Sequence, residues 1–171
     1  MRIIGIDPGS RLTGIGVIEV GDAQPRVLHH AVIEAGRGEF PARLGVIFNG
    51  VRSLVEEFQP DEAAVETVFV SHNAASAIKL GQARGAAVCA AIAGGVPVAE
   101  YSPRSVKQAL VGRGGADKTQ VQHMVRVLLG LREELREDAA DALAVALCHF
   151  HTQSTLSRMT VMQAGATKQN T

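Results

Sequence analysis

Three short apolar runs open the chain, and the turns between them are too short to hold a helix. Residues 2–7 (RIIGID) form a nearly continuous apolar run ending in an acid, residues 14–20 (GIGVIEV) alternate, and residues 26–36 (RVLHHAVIEAG) make a third run. Only PGSRLTG and the stretch from Gly21 to Pro25 separate them. Strands joined so closely pair antiparallel, because a parallel pair needs a crossover of about a dozen residues or more. A three-stranded meander is therefore expected at the start.

The hydrophobic period then changes. Residues 41–58 place Leu44, Ile47, Phe48, Val51, Leu54, Val55 and Phe58 on one helical face, with Pro41 suited to the first turn. Pro60 stops that helix, and residues 62–70 (EAAVETVFV) predict a fourth strand. A long helix of small residues follows over 73–94, then a short fifth strand at GVPVAEYS, and helices over about 103–110, 118–129 and 138–151. This order predicts an α/β fold with a five-stranded mixed sheet, three antiparallel strands followed by a βαβ unit, flanked by helices. One folded domain over residues 1–153 and a mobile polar tail over 154–171, rich in Ser, Thr, Gln and Asn, complete the expected organisation.

Composition excludes several classes. With 46% hydrophobic and 20% charged residues the chain has the balance of a soluble globular protein, and no apolar run is long enough for a membrane span. The apolar stretch in MRIIGIDPGS is too short for a signal peptide, so the cytoplasm is the expected location. Cys89 and Cys148 lie in apolar helical surroundings without CxxC spacing and are expected to be reduced core residues. Seventeen basic and seventeen acidic side chains cancel, which argues mildly against a nucleic-acid partner. Their distribution argues the other way. Lys79 to Arg126 holds seven basic residues against two acids, whereas acids concentrate at Glu56–Glu66 and Glu133–Asp141. A basic face beside separate acidic clusters suits phosphate and metal together, although a merely solvated surface gives the same count.

The acids carry the chemistry. Asp7 closes one apolar strand and Glu66 sits in another, and no basic residue lies beside either in sequence. Ionised carboxylates in such strands are costly unless paired, hydrogen-bonded or bound to a cation. If the first and fourth strands are neighbours, both carboxylates meet at one sheet edge. In EDAADALAVALCH, Asp138 and Asp141 are three apart and share a helix face, which continues as the apolar stripe Ala144, Val145 and Cys148. Acids in a first turn are also favoured by capping and by the helix dipole, so either Asp alone is readily structural. Asp141 is harder to assign that way, because it lies past the cap.

Four convergent carboxylates suit hard divalent cations, magnesium or manganese, and two such ions about 4 Å apart serve phosphodiester cleavage. Histidine-rich zinc chemistry is not supported: His29 and His30 lie on a strand, His149 and His151 are two apart on a helix end, and His123 is isolated. His72 merits attention only because it follows the Glu66 strand.

With these residues in view, IGIDPGSRLTGIGV, VETVFV, SHNAASAIKLGQARG and EDAADALAVALCH together resemble the RuvC family of Holliday-junction resolvases, over residues 1 to about 150. The resemblance implies a ribonuclease H-like fold, a homodimer, and paired incision of four-way DNA junctions in recombination and repair. It implies Asp7, Glu66, Asp138 and Asp141 as catalytic and metal-binding acids, with two Mg2+ per subunit and Mn2+ as a substitute. Many relatives carry histidine where this chain has Asp138. Phe69 falls on a segment that the family uses to stack on unpaired junction bases, and a core phenylalanine is the alternative.

Lys107 and Lys118 match basic positions near the scissile phosphate, while Lys118 also suits a helix start after a capping Asp117. Arg11, Lys79, Arg84, Arg104 and Arg113 are lesser DNA-binding candidates, each nearly as readily solvated surface. Ala77, Gly81, Gly85 and Val88, with Ala74, recur at helical spacing and are implied at the dimer interface, or else pack on the sheet of the same chain. Branch-migration proteins of the RuvA and RuvB type are the implied partners.

Two other motifs offer alternative readings. GRGGADKT (112–119) approaches a phosphate-binding loop but has Asp117 where the second glycine is essential. DPGSRLTG fits the phosphate hairpin of actin-like ATPases, which need two such domains and about twice this length. A catalytically dead junction-binding protein is a third alternative, against which the intact set of four acids stands.

Overall fold

The computed structural model of the chain describes residues 1–21, 24–67 and 73–167. Strands β1 (Arg2–Asp7), β2 (Leu12–Glu19) and β3 (Arg26–Glu34) form the expected antiparallel meander. Thr13, fully buried, ties the first turn: its hydroxyl donates to the Gly9 carbonyl at 3.0 Å. Helix α1 (Phe40–Phe58) leads to β4 (Glu62–Glu66), which pairs parallel with β1. Helix α2 (Ala74–Ala93) then returns to β5 (Val98–Tyr101), parallel to β4. The sheet order is β3-β2-β1-β4-β5, a five-stranded mixed sheet of the kind predicted.

Helices cover both faces. α1 and α2 pack on one, where Ile47, Val51 and Val55 are buried against Ile4, Ile6, Val65, Ala83 and Ala87. The other is covered by α3 (Pro103–Val111), α4 (Lys118–Leu129) and α5 (Glu137–Thr167). The inner side of α5 meets a groove of glycines. Gly5 and Gly16 are register partners and Gly14 is the partner of Asp7. A Cβ on Gly5 would run into the Ala142 carbonyl, and one on Gly14 into the Asp138 carbonyl. On Gly16 it would stand 2.6 Å from the Leu143 side chain. Glycine at these positions lets the helix backbone approach the sheet more closely than any side chain allows.

Two expectations need correction. α5 continues to Thr167 rather than ending near 151. Polar composition does not stop a helix in the absence of proline, and the Thr152 and Thr155 hydroxyls bond back to the Cys148 and His151 carbonyls, each at 2.8 Å. Cys148 is buried as expected, but Cys89 is exposed on α2. Small residues on every face of α2 left no apolar stripe from which to choose its inner side. Among the described residues, no helix is long and apolar enough to cross a membrane.

Candidate active site

Parallel pairing of β1 with β4 carries the register Ile6↔Val65, so Asp7 and Glu66 come next, side by side at the same sheet edge. Alternation sets their direction. Gly5 and Ala64, two residues before each acid, face α5, so both carboxylates point toward that helix. α5 brings the other two acids from above: Asp138 sits over Gly14, the neighbour of Asp7, and Asp141 one turn further along.

The electrostatics show how closely these groups crowd. The Asp7 carboxyl is pushed up to about 7 by burial and then by the negative charges of Glu66, Asp141 and Asp138, with Lys118 opposing. Glu66 is also raised to about 7, by burial and by Asp141, against the pull of Lys118 and Lys107. Burial raises Asp141 as well, although Lys118 pulls it down. Lys118 Nζ lies 2.8 Å from Asp141 Oδ2 and pairs with Glu137. Burial alone would lower the Lys118 pKa, but its bonds to Asp141 and Glu137 raise it overall. As the side chains stand, no three histidine, cysteine or acidic groups among the described residues close on a common point. The cluster is a concentration of like charge with one lysine in place as counter-ion.

A cleft of about 180 Å³ opens onto it, lined by Glu66, Asp141, Lys107 and Lys118 with Val106 and Val121. It shares Pro103 and Lys107 with a wider cleft of about 640 Å³, which Arg104, Gly114 and Gly115 complete. Lys118 is placed by the N-cap of α4, where the Asp117 carboxylate accepts from the Gln120 N–H at 2.9 Å in a full capping box. That bond occupies the helix terminus a phosphate loop would need, so GRGGADKT is a connector and not a cradle.

The other basic candidates divide. Arg11, Arg104 and Arg113 are exposed. Lys79 is exposed and its Nζ lies 5.9 Å from the Phe40 ring centre. Arg84 is turned inward, with Nη2 2.5 Å from Glu100 Oε1, and is a weak candidate for DNA. Phe69 and His72 lie outside the described residues. On α2, Ala83, Ala87, Ala90 and Ala91 face the core, whereas Gly81 and Gly85 adjoin open space in line with exposed Ile78 and Ile92. Ala77 and Val88 are half-buried. Sequence reading missed the three glycines of the groove. Their alternation, Gly14 and Gly16 opposite Asp7 and Gly5, is the signal that marks a close helix approach.

A family model described as "Crossover junction endodeoxyribonuclease RuvC" matches residues 3–149. The chain belongs to the RuvC family. A relative of that name from Methylococcus capsulatus is 55% identical over 161 residues, covering 94% of this chain and 97% of its own. Among solved structures, Thermus thermophilus RuvC in complex with Holliday junction substrate is similar at a TM-score of 0.84 and 41% identity, covering 90% of this chain and 94% of that one. The yeast mitochondrial Holliday junction resolvase, at a TM-score of 0.67 and 13% identity over 91% of this chain and 82% of that one, shares the fold alone. The ribonuclease H-like α/β architecture expected of a RuvC-type chain is the one found.

Proposed function

We propose that this chain is a structure-selective DNA endonuclease that resolves four-way junctions by paired symmetric nicks, with Asp7, Glu66, Asp138 and Asp141 as its catalytic acids. One observation carries the reading: carboxylates from two adjacent parallel strands and one helix are gathered beneath two lysines at an open cleft. Family membership and the junction-bound Thermus thermophilus relative support the choice of substrate.

The site fits divalent metal. Its donors are all carboxylate oxygens, and burial together with the neighbouring negative charges pushes Asp7 and Glu66 up to about 7. Asp7, Glu66, Asp138 and Asp141 would hold two Mg2+, with Mn2+ able to replace them. The chemistry such ions supply is activation of the attacking water and neutralisation of charge on the scissile phosphate. Lys107 and Lys118, which line the same cleft as Glu66 and Asp141, would draw the scissile phosphate to the acids. The products are a 5′-phosphate and a 3′-hydroxyl.

Arg11, Lys79, Arg104 and Arg113 would contact the DNA arms, and Phe69 would stack on an unpaired base. The stripe through Ile78, Gly81, Gly85 and Val88, with Ala77, suits a twofold interface that presents two sites to opposed strands. Asp7→Asn tests the assignment. It should abolish cutting of a synthetic junction yet leave junction binding largely intact, because phosphate contacts supply most of the affinity. Retained cutting would overturn it.

A further inference from the structure

On the inner face of α5, beyond the acids, lies His149, only 1% exposed and, with Thr13, one of the two buried polar side chains among the described residues. Both its ring nitrogens are engaged. Nδ1 meets the Tyr101 hydroxyl at 2.8 Å, and Nε2 pairs with Glu62 Oε2. A carboxylate only accepts, so Nε2 carries the hydrogen, and in the neutral ring the tyrosine hydroxyl donates to Nδ1. Gln153 adds a bond to the same Glu62 oxygen at 3.4 Å. One helical side chain is thus bonded to both β4 and β5.

These contacts stand in a fixed relation to the acids. β4 and α5 run past each other in opposite senses, with Glu66 and Asp141 lining one cleft at one end and Glu62 bonded to His149 at the other. From Glu66 back to Glu62 is four strand residues, about 13 Å at the usual rise. From Asp141 on to His149 is eight helical residues, about 12 Å. The two spans match, so pinning one end sets the other. Tyr101 ties the brace to the site a second time. It is the register partner of Glu66 on β5, and its carbonyl accepts the Thr67 N–H at 2.8 Å and the Thr67 hydroxyl at 3.3 Å.

We propose that Tyr101, His149 and Glu62 form a brace that holds Asp141 in step with Glu66, acting as positioning residues for the metal-binding carboxylates. The glycine groove already sets how closely α5 approaches the sheet, and a buried imidazole bonded to two strands adds directional constraints that favour one arrangement. The inference rests on the metal-site reading given above.

The test is Mn2+ affinity, read by electron paramagnetic resonance on the full-length protein without DNA, beside junction binding in EDTA and the thermal midpoint. Tyr101→Phe removes one hydroxyl and Glu62→Leu removes the acceptor for Nε2–H. Each should weaken Mn2+ binding measurably, by up to about tenfold, the low end of the scale for groups bonded directly to metal ligands, because the brace acts through α5. Junction binding in EDTA should be unchanged. Glu62→Gln keeps an acceptor oxygen and should retain wild-type affinity. Wild-type Mn2+ affinity in both Tyr101→Phe and Glu62→Leu, whatever their thermal midpoints, would overturn the brace. A wild-type chain that neither binds Mn2+ nor cuts junctions would instead overturn the metal-site reading beneath it.

Discussion

Lys118 Nζ lies 2.8 Å from Asp141 Oδ2, so a cation from the first turn of α4 holds the carboxylate that heads the inner face of α5. The lysine is half exposed, at 50%, and Asp141 is 27% exposed, so solvent screens the pair. Its net worth is about 1 kcal/mol or less. Lys118→Met should therefore lower the metal-free thermal midpoint at pH 8 by only a few degrees. It should also enlarge the stabilisation gained on adding Mg2+, because the competing charge at Asp141 is gone. Equal Mg2+ increments in calorimetry of variant and wild type would contradict this.

Asp7 and Glu66, each raised to about 7, make stability depend on pH with a defined sign. Between about pH 4 and 7 the folded protein keeps protons that the unfolded chain has released, so stability falls as pH rises through that window. Thermal unfolding in EDTA should give a lower midpoint at pH 8 than at pH 5. Screening limits the share of each acid to on the order of 1–2 kcal/mol. Asp7→Asn should flatten this slope and raise the midpoint at pH 8. An unchanged slope in that variant would rule out Asp7 as a source.

Gly14→Ala places a methyl group against the Asp138 carbonyl. Overpacking of this kind costs about 1–3 kcal/mol, and here the strain falls on the turn that carries two candidate ligands. Cleavage should be lost while junction binding persists. Gly45→Ala on α1, where a Cβ meets nothing, should leave cleavage intact and stabilise by about 0.5–1 kcal/mol. Parallel cleavage and melting assays of the two variants decide whether the close approach matters.

What sequence could reveal here was largely local. The meander follows from turns too short for a crossover, and α1 from seven apolar residues on one stripe, all of which are buried or partly buried as expected. The acids were legible because charge is conspicuous in apolar strands. Relations between distant segments were not. The bond from His149 to Glu62 spans 87 positions. The inward turn of Arg84 depends on Glu100, a residue on another element. The exposure of Cys89 is not legible because small residues surround α2 on all sides, and the far end of α5 is hidden by a polar composition that a loose tail would share.

The two classes of basic residue should separate by salt. Removing one phosphate contact changes the slope of log affinity against log salt by about 0.9. Lys107→Ala, at the junction of the two clefts, should show that change. Arg84→Ala should not, and should lower the thermal midpoint instead, because Arg84 is committed to Glu100. Junction binding titrated over a range of salt concentrations distinguishes them.

The central claim, junction cleavage at the carboxylate cluster, is met most directly by incubating the protein with an end-labelled, branch-mobile four-way junction in Mg2+ and mapping both nicks. The expected result is two nicks at symmetric positions on opposed strands, with 5′-phosphates that ligase can seal, and none in EDTA. No cutting in either Mg2+ or Mn2+, or hydrolysis of nucleotide in place of DNA, would contradict it.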